Sequence, residues 1–311
     1  MTAVGRVIFL VRNPLLSQTL TMKKRKQISG SFLTLLFAVS AISAQSVDIG
    51  VVGSYDQNSF GSPAVDGYEL NFTYEDDNAA IATNSGDGFS LDGGSAKSYD
   101  DVDSSSLEFY GFGSTTRSDV LNEVQGKDYT ATFQRDGVSA NYSSTVSNPL
   151  PTALNQAFFI DSVTPSGTAA YWNGLGQLVL DANNDYTFNF NTYTSQPDYM
   201  SLELFGPTLD LMQESIRDAS DAPITSYSIN AGDLTEGHLY DVGLFVAEIG
   251  ASPGGTLTDG TGSISLEAMS YQGEFTAIEM IAVPELSFSA LGLGLMALAT
   301  ACRRRRPQIR K

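Results

Sequence analysis

Between residues 68 and 74 the chain alternates strictly between large apolar and polar side chains. The apolar positions are Tyr68, Leu70, Phe72 and Tyr74. This period of two residues is typical of a β-strand with one buried face and one solvated face. The same alternation recurs at residues 129–133 and 138–142, on either side of Asp136-Gly137. It predicts two strands joined by a tight hairpin turn in which glycine supplies a positive φ.

Short clusters of turn residues separate further apolar runs along the chain. We expect strands near residues 47–54, 105–112, 156–163, 177–181, 185–193, 199–205, 225–230, 239–249 and 263–281. Many short strands at close intervals are typical of an antiparallel β-sandwich or jelly roll, so the sequence predicts an all-β body. Residues 207–220 differ, because Leu209, Met212 and Ile216 have helical spacing after Pro207. That segment predicts a short connecting helix.

The first apolar run has the pattern of an export signal. Four basic residues at 23–26 precede an apolar run from Phe32 to Ile42, and small residues follow it. A cationic segment, a short apolar helix and a small-residue cleavage site together predict a secretory signal peptide cleaved after Ala44. The run is too short to span a bilayer as an anchor. Met22 is the better start, so residues 1–44 are assigned to the leader and signal peptide.

A second apolar run lies near the C-terminus. Residues 286–302 are uncharged and mostly apolar, and the next four residues are Arg303, Arg304, Arg305 and Arg306. As a helix this run would extend about 25 Å at about 1.5 Å per residue, the lower limit for a bilayer span. The arginines would stay on the cytoplasmic side. We therefore predict a C-terminal transmembrane helix that stops export.

The residues just before this helix extend the pattern. Val283, Pro284 and Glu285, the apolar run containing GLGLMALA, and the terminal arginine cluster together resemble the PEP-CTERM sorting signal. This signal occurs on exported proteins of exopolysaccharide-producing Gram-negative bacteria. The family usually has proline at the third motif position, where this chain has Leu286. The resemblance covers residues 283–311 alone.

The resemblance implies an export route and its processing partners. After signal peptidase, an exosortase would cut near Pro284 and Glu285 while the chain is held briefly in the inner membrane. By this analogy Val283, Pro284 and Glu285 carry recognition, and the arginine cluster fixes orientation. Proline suits this role because it lacks an N–H and keeps the preceding residue extended, outside the helix. A plain C-terminal anchor is the alternative, since it uses the same helix and arginines.

Charge is distributed very unevenly along the chain. Residues 45–283 hold 5 basic and 34 acidic residues, a formal charge of −29, because the other basic residues lie at the two ends. Such a body repels nucleic acid, which excludes that class of partner, and it offers carboxylates to divalent cations. The single cysteine, Cys302, lies in the predicted membrane helix. The body therefore relies on its core without a disulfide.

Three sets of acidic and amide residues are candidates for a calcium site. The first, Asp181, Asn183 and Asp185, has the alternate spacing found early in calcium loops, although the stretch does not complete an EF-hand pattern. The second is Asp100, Asp101 and Asp103, and the third is the run of acids at 75–77. Solvated loop carboxylates without a bound ion are the alternative interpretation.

The chain has few of the residues that the common nucleophilic active sites require, since it contains one histidine and one cysteine. His238 is the only histidine, so Ser-His-Asp, Cys-His and multi-histidine metal sites are not expected. Paired carboxylates could still support glycoside hydrolysis. A secreted carbohydrate-active hydrolase is thus the alternative function.

One stretch goes beyond a generic strand pattern. Leu234, Gly237 and Tyr240 have an L-x-x-G-x-x-Y spacing that resembles the turn into a late strand of immunoglobulin-like and fibronectin type III sandwiches. There the tyrosine hydroxyl ties back to the preceding loop. An ordinary core tyrosine at the start of a strand is the alternative.

These observations divide the chain into three parts. Residues 1–44 are the leader, 45–282 the secreted β-sandwich body, and 283–311 the sorting signal. Prolines at 149 and 151 could split the body near residues 147–152, and a single domain is favoured. The predicted function is that of a non-enzymatic cell-surface or extracellular-matrix protein, structural, adhesive or glycan-binding.

Overall fold

A computed structural model describes residues 45–154, 156–165, 170–193, 195–207, 210–216, 222–251, 253–266 and 268–284. Ala44, Glu285, the predicted membrane helix and Arg303 to Arg306 lie outside these residues. In the described part of the chain, no helix has the length and apolar character needed to cross a membrane.

The described residues are folded almost entirely into strands. In chain order these are β1 Gln45–Asp56, β2 Val65–Asp76, β3 Ile81–Ala82, β4 Gly88–Leu91, β5 Asp101–Val102, β6 Ser106–Ser114, β7 Asp128–Arg135, β8 Val138–Thr145, β9 Ile160–Pro165, β10 Tyr171–Trp172, β11 Leu178–Asp181, β12 Tyr186–Phe190, β13 Tyr199–Phe205, β14 Asp210–Ile216, β15 Ser226–Ile229, β16 Leu239–Ala251, β17 Gly255–Asp259, β18 Gly262–Leu266 and β19 Met269–Val283. One helix, α1 Arg117–Val124, lies between β6 and β7. The prediction of an all-β body is confirmed.

Three sheets contain these strands. The large sheet has the order β14-β13-β16-β19-β1-β2-β6-β5, and the β10–β11 hairpin joins it at β19. A six-stranded sheet is built on β18-β17-β8-β7-β3 with β4 beside β7, and a three-stranded sheet has the order β15-β12-β9. Neighbouring strands are antiparallel except that β1 and β11 both run parallel to β19.

The strands β1 and β11 lie end to end along one edge of β19. Residues 48–56 pair with 269–277, and residues 178–181 pair with 280–283. The edge of β19 is therefore interrupted at Ile278 and Glu279, between the end of one parallel partner and the start of the next. On its other edge β19 pairs continuously with β16.

Two apolar clusters share one face of the large sheet. The first cluster includes Val51 and joins the large sheet to the six-stranded sheet, and the second includes Ile278 and Met280 and joins it to the three-stranded sheet. The register places Val51 beside Gln272, whose side chain points the same way as those of Ile278 and Met280 because alternate residues share a face. We call this the core face.

Several sequence predictions can be compared directly with the strands. The hairpin turn between β7 and β8 is confirmed, with φ of 52° at Asp136 and 77° at Gly137. The helix predicted at 207–220 is wrong, because Asp210–Ile216 forms β14 and pairs along its whole length with β13. The single strand predicted at 263–281 is two strands, β18 and β19. The helix α1 was not predicted.

Strands from both sides of residues 147–152 occur in the same sheets. β17 pairs with β8, and β19 pairs with β1. Strands that follow residues 147–152 therefore complete two sheets that strands before this segment begin.

Candidate functional site

The interruption along β19 opens into a cleft, which we call the strand-break cleft. Its cavity volume is about 460 Å³. One wall is the end of β1 and the loop after it, at residues 56–58, and the other is the loop of residues 173–176 between β10 and β11. β16 and β19 form the floor at residues 241–242 and 277–279. The cleft exists because β1 and β11 pair with the same edge of β19 and leave a gap between the end of one strand and the start of the other.

Three carboxylates line the cleft. Asp241 of β16 and Glu279 of β19 are directly opposite each other in the antiparallel register, and Asp56 is the last residue of β1, opposite Ala277. Cβ atoms of such opposed residues are about 4.5–5.5 Å apart. Strand alternation puts Asp241 and Glu279 on the face away from the core face.

The loop between β10 and β11 is held by one asparagine. Asn173 Oδ1 accepts from the backbone N–H groups of Leu175 and Gln177, at 2.8 and 3.0 Å, and its Nδ2 donates to Gln177 Oε1 at 2.9 Å. Gln177 Nε2 in turn donates to Glu279 Oε2 at 3.3 Å. An Asx turn of this kind fixes a short loop. Through Gln177, the loop is also hydrogen-bonded to the Glu279 carboxylate on the floor of the cleft.

The opposite wall is anchored by a buried glutamine. Gln57 donates from its backbone to Ala277 O at 3.0 Å. Its side-chain amide donates to Ile160 O at 2.6 Å and accepts from Ile160 N at 2.9 Å. These bonds tie the segment after β1 both to β19 and to the first residue of β9.

The two walls touch at a glycine. Gly176 has a φ of +78°, and a Cβ built on it would lie 3.1 Å from Asn58 Cβ. A side chain there would meet both a strained backbone and a crowded neighbour. Nearby, the rings of Phe60 and Trp172 meet edge to face with centroids 5.8 Å apart, which links the segment after β1 to the end of β10.

Electrostatics at the floor disfavour ionisation of one carboxyl. Burial, and then the charge of Glu279, raise the pKa of Asp241 above its usual range. The described basic side chains are engaged elsewhere: Lys97 over the Phe112 ring, Arg117 with Glu274, Lys127 with Asp92, and Arg135 with Asp76 and Asp259. Among the described residues that line the cleft, three are acidic and none is basic.

An exposed aromatic ring lies on the same side of the sheet. Tyr171 is 52% exposed and pairs with Val179, which pairs with Ile281. Ile281 is two residues after Glu279, so Tyr171 and Glu279 point to the same face. The ring stands beside the loop that walls the cleft.

The described part of the predicted sorting motif continues directly from the fold. Val283 is the last residue of β19, opposite Asp181, and its carbonyl accepts from Ala182 N at 3.0 Å. Pro284 follows and is exposed. Glu285, Ala44 and Arg303 to Arg306 lie outside the described residues, so their predicted roles stay predictions.

The first calcium candidate lies in the turn between β11 and β12. Asp181 Oδ1 accepts from Asn183 N at 2.9 Å, Asn183 Nδ2 donates to Glu236, and Asp185 Oδ1 accepts from Ala231 N at 2.7 Å. The Asp181 bond lies within the turn, and the other two bonds join the turn to the segment at residues 231–236.

The second candidate lies around β5. Asp100 Oδ2 accepts from Tyr110 N at 2.7 Å, Asp101 Oδ1 from Val102 N at 2.9 Å, and Asp103 Oδ1 from Ser105 N at 2.6 Å. Over the described ranges, no three His, Cys, Asp or Glu side chains are grouped so as to hold a metal ion. Calcium binding stays a prediction.

The tyrosine turn before β16 has the hydrogen bond that its spacing predicts. Thr235 N donates to Tyr240 Oη at 2.6 Å, Gly237 has a φ of +76°, and Leu234 is buried. The tyrosine ring also packs so closely on Gly206 that a Cβ there would overlap it. This turn leads into the strand that carries Asp241.

Sequence reasoning missed the cleft itself. Asp56, Asp241 and Glu279 are far apart in the chain, and only the strand register brings them together. One local signal was present: the sole tryptophan, Trp172, is followed by Asn173-Gly174, a typical turn pair.

Comparison with protein families and with curated sequences identifies no relative. No protein-family model matches the chain, and no curated protein is significantly similar to it in sequence. The function must therefore be inferred from the chain's own residues and geometry.

Proposed function

We propose that the protein is an exported cell-surface or matrix protein whose β-sandwich body binds glycans in the strand-break cleft. The observation that carries the proposal is the cleft: a gap in the large sheet lined by Asp56, Asp241 and Glu279, with Tyr171 exposed on the same face. Sugar recognition needs hydrogen-bonding groups for hydroxyls and an aromatic ring for the apolar face of the pyranose. The cleft offers the first, and Tyr171 beside its wall offers the second.

The hydrogen-bonded walls of the cleft fit a binding role that involves no chemical step. The loop at Asn173 is internally hydrogen-bonded, and Gln57 is fixed on both sides. A site held in place before the ligand arrives loses little conformational entropy on binding. A surface or matrix protein requires such retention of a glycan and no chemical step.

Binding can be measured by surface plasmon resonance on exopolysaccharide purified from the producing cells. We expect Glu279→Gln and Tyr171→Ala to weaken binding at least fivefold. Asp66→Asn is the matched control, because Asp66 is exposed at the start of β2, outside the cleft. Equal binding by all three variants would refute the cleft as the site.

Delivery to the surface is the second part of the proposal. The support is the sequence of residues 283–306, in which Val283-Pro284-Glu285 precedes an apolar run and four arginines. β19 ends at Val283, so a cut after the motif would leave the last strand whole. The exosortase and signal peptidase are the processing partners, and the inner membrane is a transient location.

Intact mass spectrometry of protein from its native cells tests delivery. We expect a mature species that lacks residues 1–44 and the segment after about Glu285. The double change Pro284→Ala, Glu285→Ala should abolish tail removal and leave signal-peptide cleavage unchanged. A mature wild-type protein that keeps Arg303 to Lys311 would show that the tail is only an anchor.

A hydrolase is the second candidate function, favoured by the pairing of Asp241 with Glu279. Retaining glycosidases use two carboxyls about 5–5.5 Å apart, one of them protonated as the acid. Opposed residues on neighbouring strands have Cβ atoms about 4.5–5.5 Å apart, which leaves their two carboxyl groups within reach of each other. Burial and Glu279 raise the pKa of Asp241. Release of reducing ends from the exopolysaccharide, lost in both Asp241→Asn and Glu279→Gln, would establish hydrolysis over simple binding.

A further inference from the structure

The strand β18 forms one edge of the six-stranded sheet. It pairs with β17 on one side, and the order β18-β17-β8-β7-β3 places no described strand on its other side. Alternate residues of a strand direct their backbone N–H and C=O groups to opposite sides, so half of these groups in β18 meet no strand in the described body. Residues 262–265 of β18 are exposed. The edge is therefore open to a further strand.

This edge lacks the features that usually keep two sheets apart. Native edge strands are protected by charged side chains, by proline, by a β-bulge or by being very short. β18 has the sequence Gly-Ser-Ile-Ser-Leu, without charge or proline, and it pairs with β17 without a shift in register. Among the other described edges, β9 and β14 carry acids, and β3, β5 and β10 have two residues each. β15 is uncharged as well, but it has four residues and the last, Ile229, is buried.

An exposed isoleucine lies at the centre of β18. Ile264 is 46% exposed, and it pairs with the buried Leu257 of β17. A cavity of about 360 Å³ adjoins the strand and is lined by Arg135, Asp259 and Ile264 among other residues. Arg135 and Asp259 form an ion pair with each other. On this side the edge therefore presents an apolar side chain and has room for another one.

The strand is complementary to a second copy of itself. In an antiparallel pairing centred on Ile264, Ile264 meets Ile264 of the second copy, and Ser263 meets Ser265. Apolar pairs and hydroxyl pairs on neighbouring strands both stabilise a sheet. The molecule already contains a contact of the second kind, since the hydroxyl oxygens of Thr258 and Ser263 are 3.0 Å apart across β17 and β18. A strongly charged peptide would find no opposite charge on this strand.

We infer that β18 is a self-association edge, at which two copies of the protein pair antiparallel and join their six-stranded sheets into one. The contact has about five residues on each side, against about 20–30 for a standard interface, so the association is weak, in about the 100 μM range. β18 belongs to a different sheet from the floor of the strand-break cleft. The inference can therefore be tested independently of glycan binding.

Sedimentation equilibrium of the protein purified from its producing cells measures the association. We expect a monomer–dimer equilibrium that tightens at least threefold when sodium chloride is raised from about 0.05 M to about 0.5 M, because salt screens charge interactions. Residues 45–283 have a formal charge of −29, so the two bodies repel each other, whereas the edge contact itself is uncharged. A protein that stays monomeric at about 1 mM, or an association that weakens with salt, would overturn the inference.

Opposite charges at one position test the register. Ile264→Lys and Ile264→Glu should each weaken self-association at least tenfold, because like charges directly opposite each other destabilise a sheet. An equimolar mixture of the two variants should recover the association, since lysine then lies opposite glutamate. Val102→Lys is the matched control, because Val102 is an exposed apolar residue of another edge strand, β5, and this variant should associate like the wild type.

The outcomes identify what pairs with β18. Undiminished association of the two Ile264 variants, an equal loss in Val102→Lys, or no recovery in the mixture would each overturn pairing with a second β18. Hydrogen–deuterium exchange of the wild type needs no variant, so the inference is testable even if the Ile264 variants fold poorly. Peptides covering residues 262–266 should exchange more slowly in concentrated than in dilute protein, and exchange that is independent of concentration would contradict the inference.

Discussion

Replacing Arg135 by methionine should strongly destabilise the body, because Arg135 bonds to a fully buried carboxylate. Its Nε donates to Asp76 Oδ2 at 2.8 Å, and its Nη1 donates to Asp259 Oδ2 at 2.9 Å. The Asp76 side chain is 0% exposed and the Arg135 side chain 20%. The pair connects β2 of the large sheet with β7 of the six-stranded sheet.

The magnitude follows from what remains after the change. Asp76 Oδ2 would keep its bonds from Tyr74 Oη at 3.1 Å and Gln45 Nε2 at 2.9 Å but lose its cation. Removing one partner of a buried ion pair costs about 3–5 kcal/mol, and the partial exposure of Arg135 favours the lower end, about 3 kcal/mol. For a body of this size that corresponds to a loss of about 6–12 °C in Tm.

Urea denaturation followed by circular dichroism measures the free energy of unfolding. Lys127→Met is the control, since Lys127 and Asp92 form an exposed pair and surface pairs contribute little. Arg135→Met combined with Asp76→Asn should recover part of the loss, because the second change removes the unpaired charge. If Arg135→Met and Lys127→Met have the same small effect, the reasoning from burial is refuted.

Three further changes probe the turn, the pH response and the cleft. Tyr240→Phe should lower the free energy of unfolding by about 1–3 kcal/mol in urea melts, since Thr235 N loses its acceptor; an unchanged midpoint would contradict this. Burial, and then neighbouring acids, raise the pKa of Glu75 to about 8. An acid whose pKa is higher in the folded state is destabilising once ionised, so stability should fall as pH rises from about 4.5 to about 8. Glu75→Gln should flatten that part of the pH profile in thermal melts, and an unaltered profile would count against the assignment. Gly176→Ala should weaken exopolysaccharide binding severalfold in surface plasmon resonance with little change in Tm, because only the loop facing Asn58 is strained; full binding would argue against that loop as a wall of the site.

Local pattern was enough to predict much of the strand content. The prediction of residues 199–205 coincides with β13, and alternation at 129–142 gave both strands of the hairpin and its turn. These segments succeed because one face is buried and the other wet, so side-chain polarity reports the backbone period directly.

The failures have identifiable physical causes. Residues 210–216 contain good helix formers, yet the free edge of β13 supplies hydrogen-bond partners, and this tertiary context outweighs propensity. The helix α1 did have a start signal: Thr116 Oγ1 accepts from Asp119 N at 3.4 Å, and a threonine followed three residues later by an acid is a recognised N-terminal pattern. A helix of only eight residues spans about two turns, too few for a helical period to stand out in the sequence.

Local sequence patterns do not predict the cleft. Its position depends on where the pairing of β1 ends and that of β11 begins along β19, which is a property of the register. Polarity alone cannot distinguish Asp241 or Glu279 from the other 32 acids of the body. The contiguous motif at residues 283–306 is the part of the chain for which the sequence predicts a specific role, and that role stays a prediction.

Hydrogen–deuterium exchange with and without bound glycan tests the central claim most directly. At a saturating concentration of the native exopolysaccharide, we predict slower exchange in peptides covering residues 57–61 and 171–177. Peptides covering β17 and β18, residues 255–266, none of which lines the cleft, should be unchanged. Protection confined to the six-stranded sheet, or no protection at saturation, would contradict the strand-break cleft as the binding site.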